Sequence, residues 1–290
     1  MATILITGSS TGIGLATALA FGRAGHTVAA AMRNPARAPE LANIAAREAL
    51  PITVFTMDVD ADASVAESIA QVASSLGPID VLVNNAGIER MGSVEQLSLS
   101  DFRAVMETNY FGVIRCIQAV LPSMRARRSG CIINIASVAG KIAMSPMASY
   151  TASKYALEAL SECLAQEVKP FGIRVAIVEP GIIDTAMSRH IGTSDTSAPS
   201  QYPQQRRTAG LFAAVLTNPA SPSLVADKVV EIATGGSWQL RHPVGPDAAP
   251  FLGWRAGMSD EAWVDFGALD DDAWYDRIMT DFGVDARRHN

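Results

Sequence analysis

The sequence predicts an α/β chain: one domain built on a doubly wound, mostly parallel, seven-stranded sheet with helices on both faces. Short β-branched runs alternate along it with longer stretches rich in Ala, Leu and Glu. The runs are nearly continuous in apolar residues, without clean alternation, as expected of parallel strands covered on both sides. Strand, helix and strand recur in a pattern that right-handed crossovers join into a parallel sheet. The strands are expected at 3–7, 27–31, 52–57, 79–83, 131–135, 174–178 and 238–241, the last being the weakest pattern.

A chain of 290 residues with 49% apolar and 18% charged side chains has a globular composition and can bury a sizeable core. Its net charge of −6 argues against a nucleic-acid surface. Arg125, Arg127 and Arg128 do cluster, but at an expected helix end, where they complement the dipole. Cys116, Cys131 and Cys163 are odd in number and set among apolar residues, which reads as buried, reduced thiols. The histidines His26, His190, His242 and His289 have no ligand spacing, so no metal is expected. The opening MATILITG is too short and uncharged for a signal peptide, and no apolar run approaches the roughly 20 residues of a membrane helix. The expectation is a cytoplasmic protein.

No linker or repeat divides the chain. Residues 1–243 are expected to form the catalytic domain, including a substrate-loop segment at 186–223. From 188 to 223 the sequence is rich in Ser, Thr, Pro and Gln and reads as irregular, a lid or binding loop. Residues 244–290 form an extension with Trp254, Trp263 and Trp274 among nine acidic residues from Asp260 onward. It is expected to pack back on the domain.

The first strand runs into TGSSTGIG, Thr7 to Gly14, and a helical stretch follows. Gly8, Gly12 and Gly14 permit a tight turn and close approach of the backbone to a pyrophosphate at the positive end of a helix. This context, strand before and helix after, makes the fold Rossmann-type. Farther on, Tyr150 and Lys154 are four apart on an expected helix and share a face. A free tyrosine ionises near pKa ~10, and a neighbouring ammonium is expected to lower that value. Ser137, at the carboxyl end of the fifth strand, falls where ligands bind in open α/β sheets and can hold a substrate oxygen as charge develops.

These motifs, with NNAG at Asn84–Gly87, Asn109, and Pro180–Gly181 followed by Thr185, occur in the order found in the short-chain dehydrogenase/reductase family, which the chain resembles over roughly residues 1–240. The resemblance implies an oxidoreductase that moves a hydride between nicotinamide and a carbonyl or alcohol carbon. Tyr150 would handle the proton and Ser137 would orient the substrate. Lys154 would also hold the nicotinamide ribose, and Asn109 would keep a water in a proton relay through Lys154. Asn84 would tie neighbouring strands together. The implied cofactor contacts are Gly8, Ser10, Thr11, Gly12, Ile13 and Gly14 in the turn, Asp58 and Val59 at the adenine, Asn85, Ala86 and Gly87, Tyr150 and Lys154, and Pro180, Gly181, Ile183 and Thr185.

The slot that in an NAD-selective site holds an acidic residue reads Ala31, Met32, Arg33, Asn34. No carboxylate is there to repel a 2′-phosphate, and Arg33 can pair with one, so NADP(H) is favoured over NAD(H). Ser9-Ser10-Thr11 lacks the basic residue that some NADP enzymes of the family place there. Asp58-x-Asp60-x-Asp62 is not a calcium loop, since Ala63 and Ile69 stand where glycine and glutamate are needed; Asp60 and Asp62 are expected to cap the next helix.

The substrate is expected to meet Ile88, Glu89, Arg90, Ile142, Ala143, Met144, Ile182 and Ile183, with 187–216 folded over them. Most are apolar, suggesting a hydrophobic small-molecule ketone, aldehyde or secondary alcohol. Double-bond reduction is disfavoured, because that branch spaces its Tyr and Lys farther apart. The alternatives are an NAD-using dehydrogenase of the same family and an NADP(H)-binding regulator without catalysis. The resemblance implies a homodimer or homotetramer paired through the helices around Asn109 and Lys154; an extension over the seventh strand could block the second interface.

Overall fold

The computed structural model describes residues 1–193 and 201–289. Seven strands, β1 (Thr3–Thr7), β2 (Thr27–Met32), β3 (Ile52–Thr56), β4 (Val81–Asn84), β5 (Gly130–Ile135), β6 (Ile173–Pro180) and β7 (Arg241–Val244), pair in the order β3-β2-β1-β4-β5-β6-β7. Every pairing is parallel. The chain order reverses at β1, between β2 and β4, so the carboxyl ends of β1 and β4 flank the crevice where ligands bind in such sheets.

The continuous apolar runs split between the two faces with the period of a strand. Leu5, Ala29, Leu82, Ile132 and Ile177 pack on α3 (Asp62–Leu76), α5 (Gly112–Arg127) and α6 (Ala148–Val168). Ile4, Ile6, Val28, Val83, Ile133 and Val178 face the other way, onto α1 (Gly12–Arg23), α2 (Glu40–Arg47) and α9 (Pro222–Gly235). The central strands are thus buried on both faces, whereas the edge strands β3 and β7 keep exposed positions at Thr53, Thr56 and Pro243.

The helix α4 (Leu99–Met106) continues through a π turn, Glu107–Phe111, into α5. Arg125 and Arg127 lie in the last turn of α5, as expected of dipole-complementing residues. Asn84 on β4 is in register with Asn134 on β5 and donates to its side-chain oxygen at 2.8 Å. Asn134 in turn donates to Ser161 on α6 at 2.8 Å. Asn134 is fully buried. Asn84→Ala should leave its oxygen unpaired and cost about 1–3 kcal/mol, read as a lower urea midpoint; an unchanged midpoint would show that the tie carries no stability.

Four expectations are corrected. The seventh strand lies at Arg241–Val244, not 238–241: Trp238 is 50% exposed beneath the Lys169 ammonium, and Pro243 is tolerated because β7 is an edge strand. Cys116 and Cys131 are buried, but Cys163 is exposed on α6. Asp60 and Asp62 do not cap α3: Ala61 is the N-cap, Asp60 accepts from Thr108, and Asp62 pairs with Arg115. Much of 188–223 is helical, in α7 (Ala186–Gly192), α8 (Gln204–Val215) and the start of α9. Its apolar residues are taken up by tertiary contact, Ile191 and Leu211 buried and Phe212 partly so, which overrides weak local propensity. The part of that segment at 194–200 lies outside the described residues.

The extension forms α10 (Ala248–Ala256), α11 (Asp260–Ala268) and α12 (Asp271–Phe282). These build a third apolar cluster with Ile182 and Leu211, to which Met144 and Phe212 are added. Among the described residues, no helix is long and apolar enough to cross a membrane, and none groups three or more His, Cys, Asp or Glu for a metal.

Candidate active site

The turn after β1 is held by its neighbours. Gly8 and Gly12 have positive φ, +68° and +55°. Gly14 is needed for space: a Cβ there would overlap the Gly8 carbonyl oxygen and lie 2.5 Å from Asn85 Nδ2. That amide donates to the carbonyls of Thr7 and Gly8 at 2.9 and 3.0 Å. The Thr7 hydroxyl accepts from the backbone N–H of Asn85 and Ala86, a joint that sequence reading missed. Thr11 caps α1 without using its side chain, and the first turn of α1 has no acidic residue. Its N–H groups and dipole are therefore suited to an anion.

A cavity of about 810 Å³ runs from this turn along the carboxyl ends of the strands. Every expected cofactor and catalytic residue lines it except Gly14 and Asn109. Arg33, Arg37, Asp58 and Val59 lie on the stretch that follows β2 and β3, and Asn85–Ile88 lie beyond β4. Ser137, Tyr150, Lys154 and Pro180–Ile183 line it farther on. Thr185 also lines it while capping α7, accepting from the N–H of Ser188.

Tyr150 and Lys154 lie one turn apart in α6, with the Lys154 Nζ 5.5 Å from the Tyr150 ring centroid. Lys154 is buried and donates to the Ile135 carbonyl at 2.8 Å. Ser137 accepts from Ala139 N–H at 3.1 Å, and its hydroxyl lies 3.5 Å from the Pro180 carbonyl oxygen. Burial pushes the Tyr150 phenol up to about 12, against the pull of Ser137, and the charge of Glu89 raises it further. This corrects the expected lowering by Lys154. Burial disfavours both charged forms, and it brings Lys154 down to about 8 while Glu158 pulls it up. The resting pair is a neutral phenol beside an ammonium already bonded to Ile135.

Asn109 sits in the π turn, buried, and its side chain is fully used. Its oxygen accepts from Ile88 N–H at 2.8 Å, and its amide donates to the Ile88 carbonyl and Ser153 hydroxyl, each at 2.9 Å. The side chain thus fixes the loop after β4 to α6.

The sequence matches the short chain dehydrogenase family profile over residues 2–196. The chain belongs to that family. It is 34% identical over 266 residues to oxidoreductase BOA17 of Botryotinia fuckeliana, covering 89% of this chain and 95% of that one. It is 37% identical over 198 residues to 3-ketodihydrosphingosine reductase of Bacteroides thetaiotaomicron, covering 68% and 70%. The fold aligns with a variant of actinorhodin polyketide ketoreductase with NADPH at a TM-score of 0.76 and 28% identity, covering 85% and 97%. This short-chain dehydrogenase is accordingly an NAD(P)-dependent oxidoreductase acting on C=O or CH–OH groups.

Of the expected substrate neighbours in this dehydrogenase, Ile88, Ile142, Met144, Ile182 and Ile183 line the cavity, whereas Glu89, Arg90 and Ala143 do not. Arg90 folds back to donate to the Glu89 carbonyl, and the Ala143 carbonyl accepts from Trp263 Nε1.

Two further features went unread in the sequence. Glu158, one turn beyond Lys154, is buried with Arg241 at 2.9 Å and Lys141 at 3.8 Å. Arg241 also reaches Glu179 at 3.8 Å, and burial together with the charge of Glu158 pushes Glu179 up to about 7. Its four-residue spacing from Lys154 is the one signal that could have drawn attention to Glu158. The second is Asp247, at the start of the extension, which accepts from Ile182 N–H at 2.7 Å. It packs on Gly181 so closely that a Cβ there would lie 2.5 Å from its Cγ. No local pattern announces that contact.

Proposed function

We propose that the protein is an NADPH-dependent reductase of apolar ketones or aldehydes, working in reverse as an alcohol dehydrogenase. The observation that carries this reading is the position of Ser137, Tyr150 and Lys154 on a cavity that a glycine turn frames at one end and apolar side chains line at the other. The turn and the open N–H groups of α1 fit a pyrophosphate. A nicotinamide dinucleotide bound there supplies the hydride or takes it up.

The remaining work belongs to the chain. The Ser137 hydroxyl holds the carbonyl oxygen, and Tyr150, neutral at rest, gives it a proton as the carbon is reduced. Lys154 holds the ribose and, as an ammonium, offsets the phenolate left behind. Asn109 keeps the loop beneath the reacting centre in place, and its backbone carbonyl is the proposed anchor of a relay water.

Selectivity for the 2′-phosphate is assigned to Arg33, reinforced by Arg37 on the following turn, which the sequence reading did not include. Both have the forked donors that match a phosphate. The NADPH complex of the related ketoreductase supports the same preference. The joint change Arg33→Ala with Arg37→Ala should lower kcat/KM for NADPH about 10- to 100-fold, as expected for two charge-assisted contacts, and leave NADH nearly unchanged. Equal losses with both cofactors would refute the assignment. The whole reading is tested by a panel of ketones, aldehydes and alcohols with both cofactors, followed by absorbance of the reduced nicotinamide. Turnover of apolar carbonyls with NADPH is expected, and no turnover of any member would sink it.

A further inference from the structure

Beyond Tyr150, the far half of the cavity is lined by Met144, Met187, Leu211 and Phe212 together with five aromatic residues of the extension, Phe251, Trp254, Trp263, Phe266 and Phe282. The rings form one interlocked set. Trp254 stands edge-on to Trp263, Phe266 and Phe282, with centroids 5.0 to 5.4 Å apart, and Phe251 is edge-on to Phe282 at 4.5 Å. Trp263 stacks on Phe266 at 5.5 Å. Such pairs restrict one another's rotamers, so the surface is preformed.

The set is also tied to both loops of the reacting centre. Trp263 Nε1 donates to the Ala143 carbonyl at 2.9 Å, between Ser137 and Tyr150 in sequence. Asp247, which opens α10, holds Ile182 N–H beside Pro180–Gly181. The other indole, Trp254, donates to Asp281 at 2.7 Å. Both indole donors are therefore already engaged. The Ser188 hydroxyl, another polar group on this stretch, is spent on the Ile183 carbonyl. A hydroxyl or carboxylate on the distal part of a substrate would lose water and gain no side-chain partner among these residues; the unpartnered hydroxyl of Thr151, also on this cavity, stands next to Tyr150 in the chain and not on the extension.

We infer that Trp254 and Trp263 are specificity-determining residues and that the substrate is a ring-bearing ketone or aldehyde whose distal body is aromatic or polycyclic and carries no polar group. The inference rests on the reductase reading above. An aromatic body meets ring edges and faces at the favoured offset and edge-on geometries, whereas a flexible chain of equal carbon count gains only apolar contact and loses more rotamer freedom. Methionine sulfur adds further favourable contact with rings.

The experiment uses the full chain and three methyl ketones: 2-acetylnaphthalene, an acyclic ketone of equal carbon count, and a naphthyl analogue bearing a distal hydroxyl. Binding is followed by calorimetry with NADP⁺ present, which cannot reduce the ketone, and turnover with NADPH by absorbance. The naphthyl ketone should bind and turn over at least about 10-fold better than either of the others. Trp254→Leu and Trp263→Leu should each erase most of that advantage, lowering kcat/KM for the naphthyl ketone at least about 10-fold more than kcat/KM for a small ketone such as butanone. Trp254→Phe should restore part of it, and melting curves confirm that each variant is folded. Equal binding of naphthyl and acyclic ketones, or equal losses on butanone, overturns the inference while the reductase reading stands. Saturable naphthyl binding, weakened by the Trp variants, with no carbonyl turned over sinks the reductase reading and upholds the aromatic site.

Discussion

Tyr150→Phe should lower kcat/KM for carbonyl reduction by about 10³-fold, within the 10²–10⁴ typical of a lost general acid, while NADPH affinity measured by fluorescence titration stays within a factor of about two. The substitution removes one oxygen. It leaves the ring that faces the Lys154 ammonium, so the helix and its lysine should hold their positions. Residual turnover near the parent rate would take Tyr150 out of the reaction.

The pH dependence differs between the two directions. With burial holding Tyr150 up to about 12, the proton-donating form dominates throughout the neutral range. The reductive rate should therefore be insensitive to Tyr150 ionisation there. It should fall as pH rises through about 8, where Lys154 loses its proton and can no longer offset the phenolate. Alcohol oxidation needs the phenolate as base, so its rate should climb with pH, and Tyr150→Phe should flatten that climb. A parent oxidation rate that is flat with pH would contradict the assignment of the base.

The parts of this architecture that were legible in the sequence are those encoded locally. The glycine turn, the apolar strands and the four-residue step from Tyr150 to Lys154 each depend on neighbours in the chain, so pattern and spacing reveal them. Asn109 was recognised as a residue, but not the π turn that carries it, because a single widened turn leaves no mark on apolar periodicity. The expected drop in the Tyr150 pKa failed for a related reason. Spacing indicates who stands beside whom, but burial, the larger influence, depends on everything packed around the pair. The remaining features are contacts between distant residues. Asp247 meets Ile182 across 65 positions, Arg241 meets Glu158 across 83, and Trp263 meets Ala143 across 120. No window of sequence contains both partners. The helical character of much of 188–223 belongs here too, since its apolar residues are buried by the extension and the loops beside it.

Gly14→Ala should be among the most damaging single changes outside the reacting centre. The cause is lack of space, because Gly14 is an ordinary helical residue without positive φ. Its added methyl would overlap the Gly8 carbonyl and press on the Asn85 amide. Neither can yield cheaply. The carbonyl is backbone, and the amide joins the Thr7 and Gly8 carbonyls to the loop after β4. Overpacking costs about 1–3 kcal/mol, and carbonyls left without their donor add about 1–3 kcal/mol. The expected loss is roughly 2–6 kcal/mol, or a fall in Tm on the order of 10 °C for a chain this size. The turn frames the proposed phosphate site, so NADPH should bind at least about 10-fold more weakly even where the variant remains folded. Gly253→Ala is the matched control: it lies within α10, an added Cβ would meet nothing within 4 Å, and alanine there should be neutral or stabilise by about 0.5–1 kcal/mol. Melting curves of both variants, with and without NADPH, decide the matter. If Gly14→Ala melts with the parent and binds NADPH as tightly, α1 is not pressed against β1 as described.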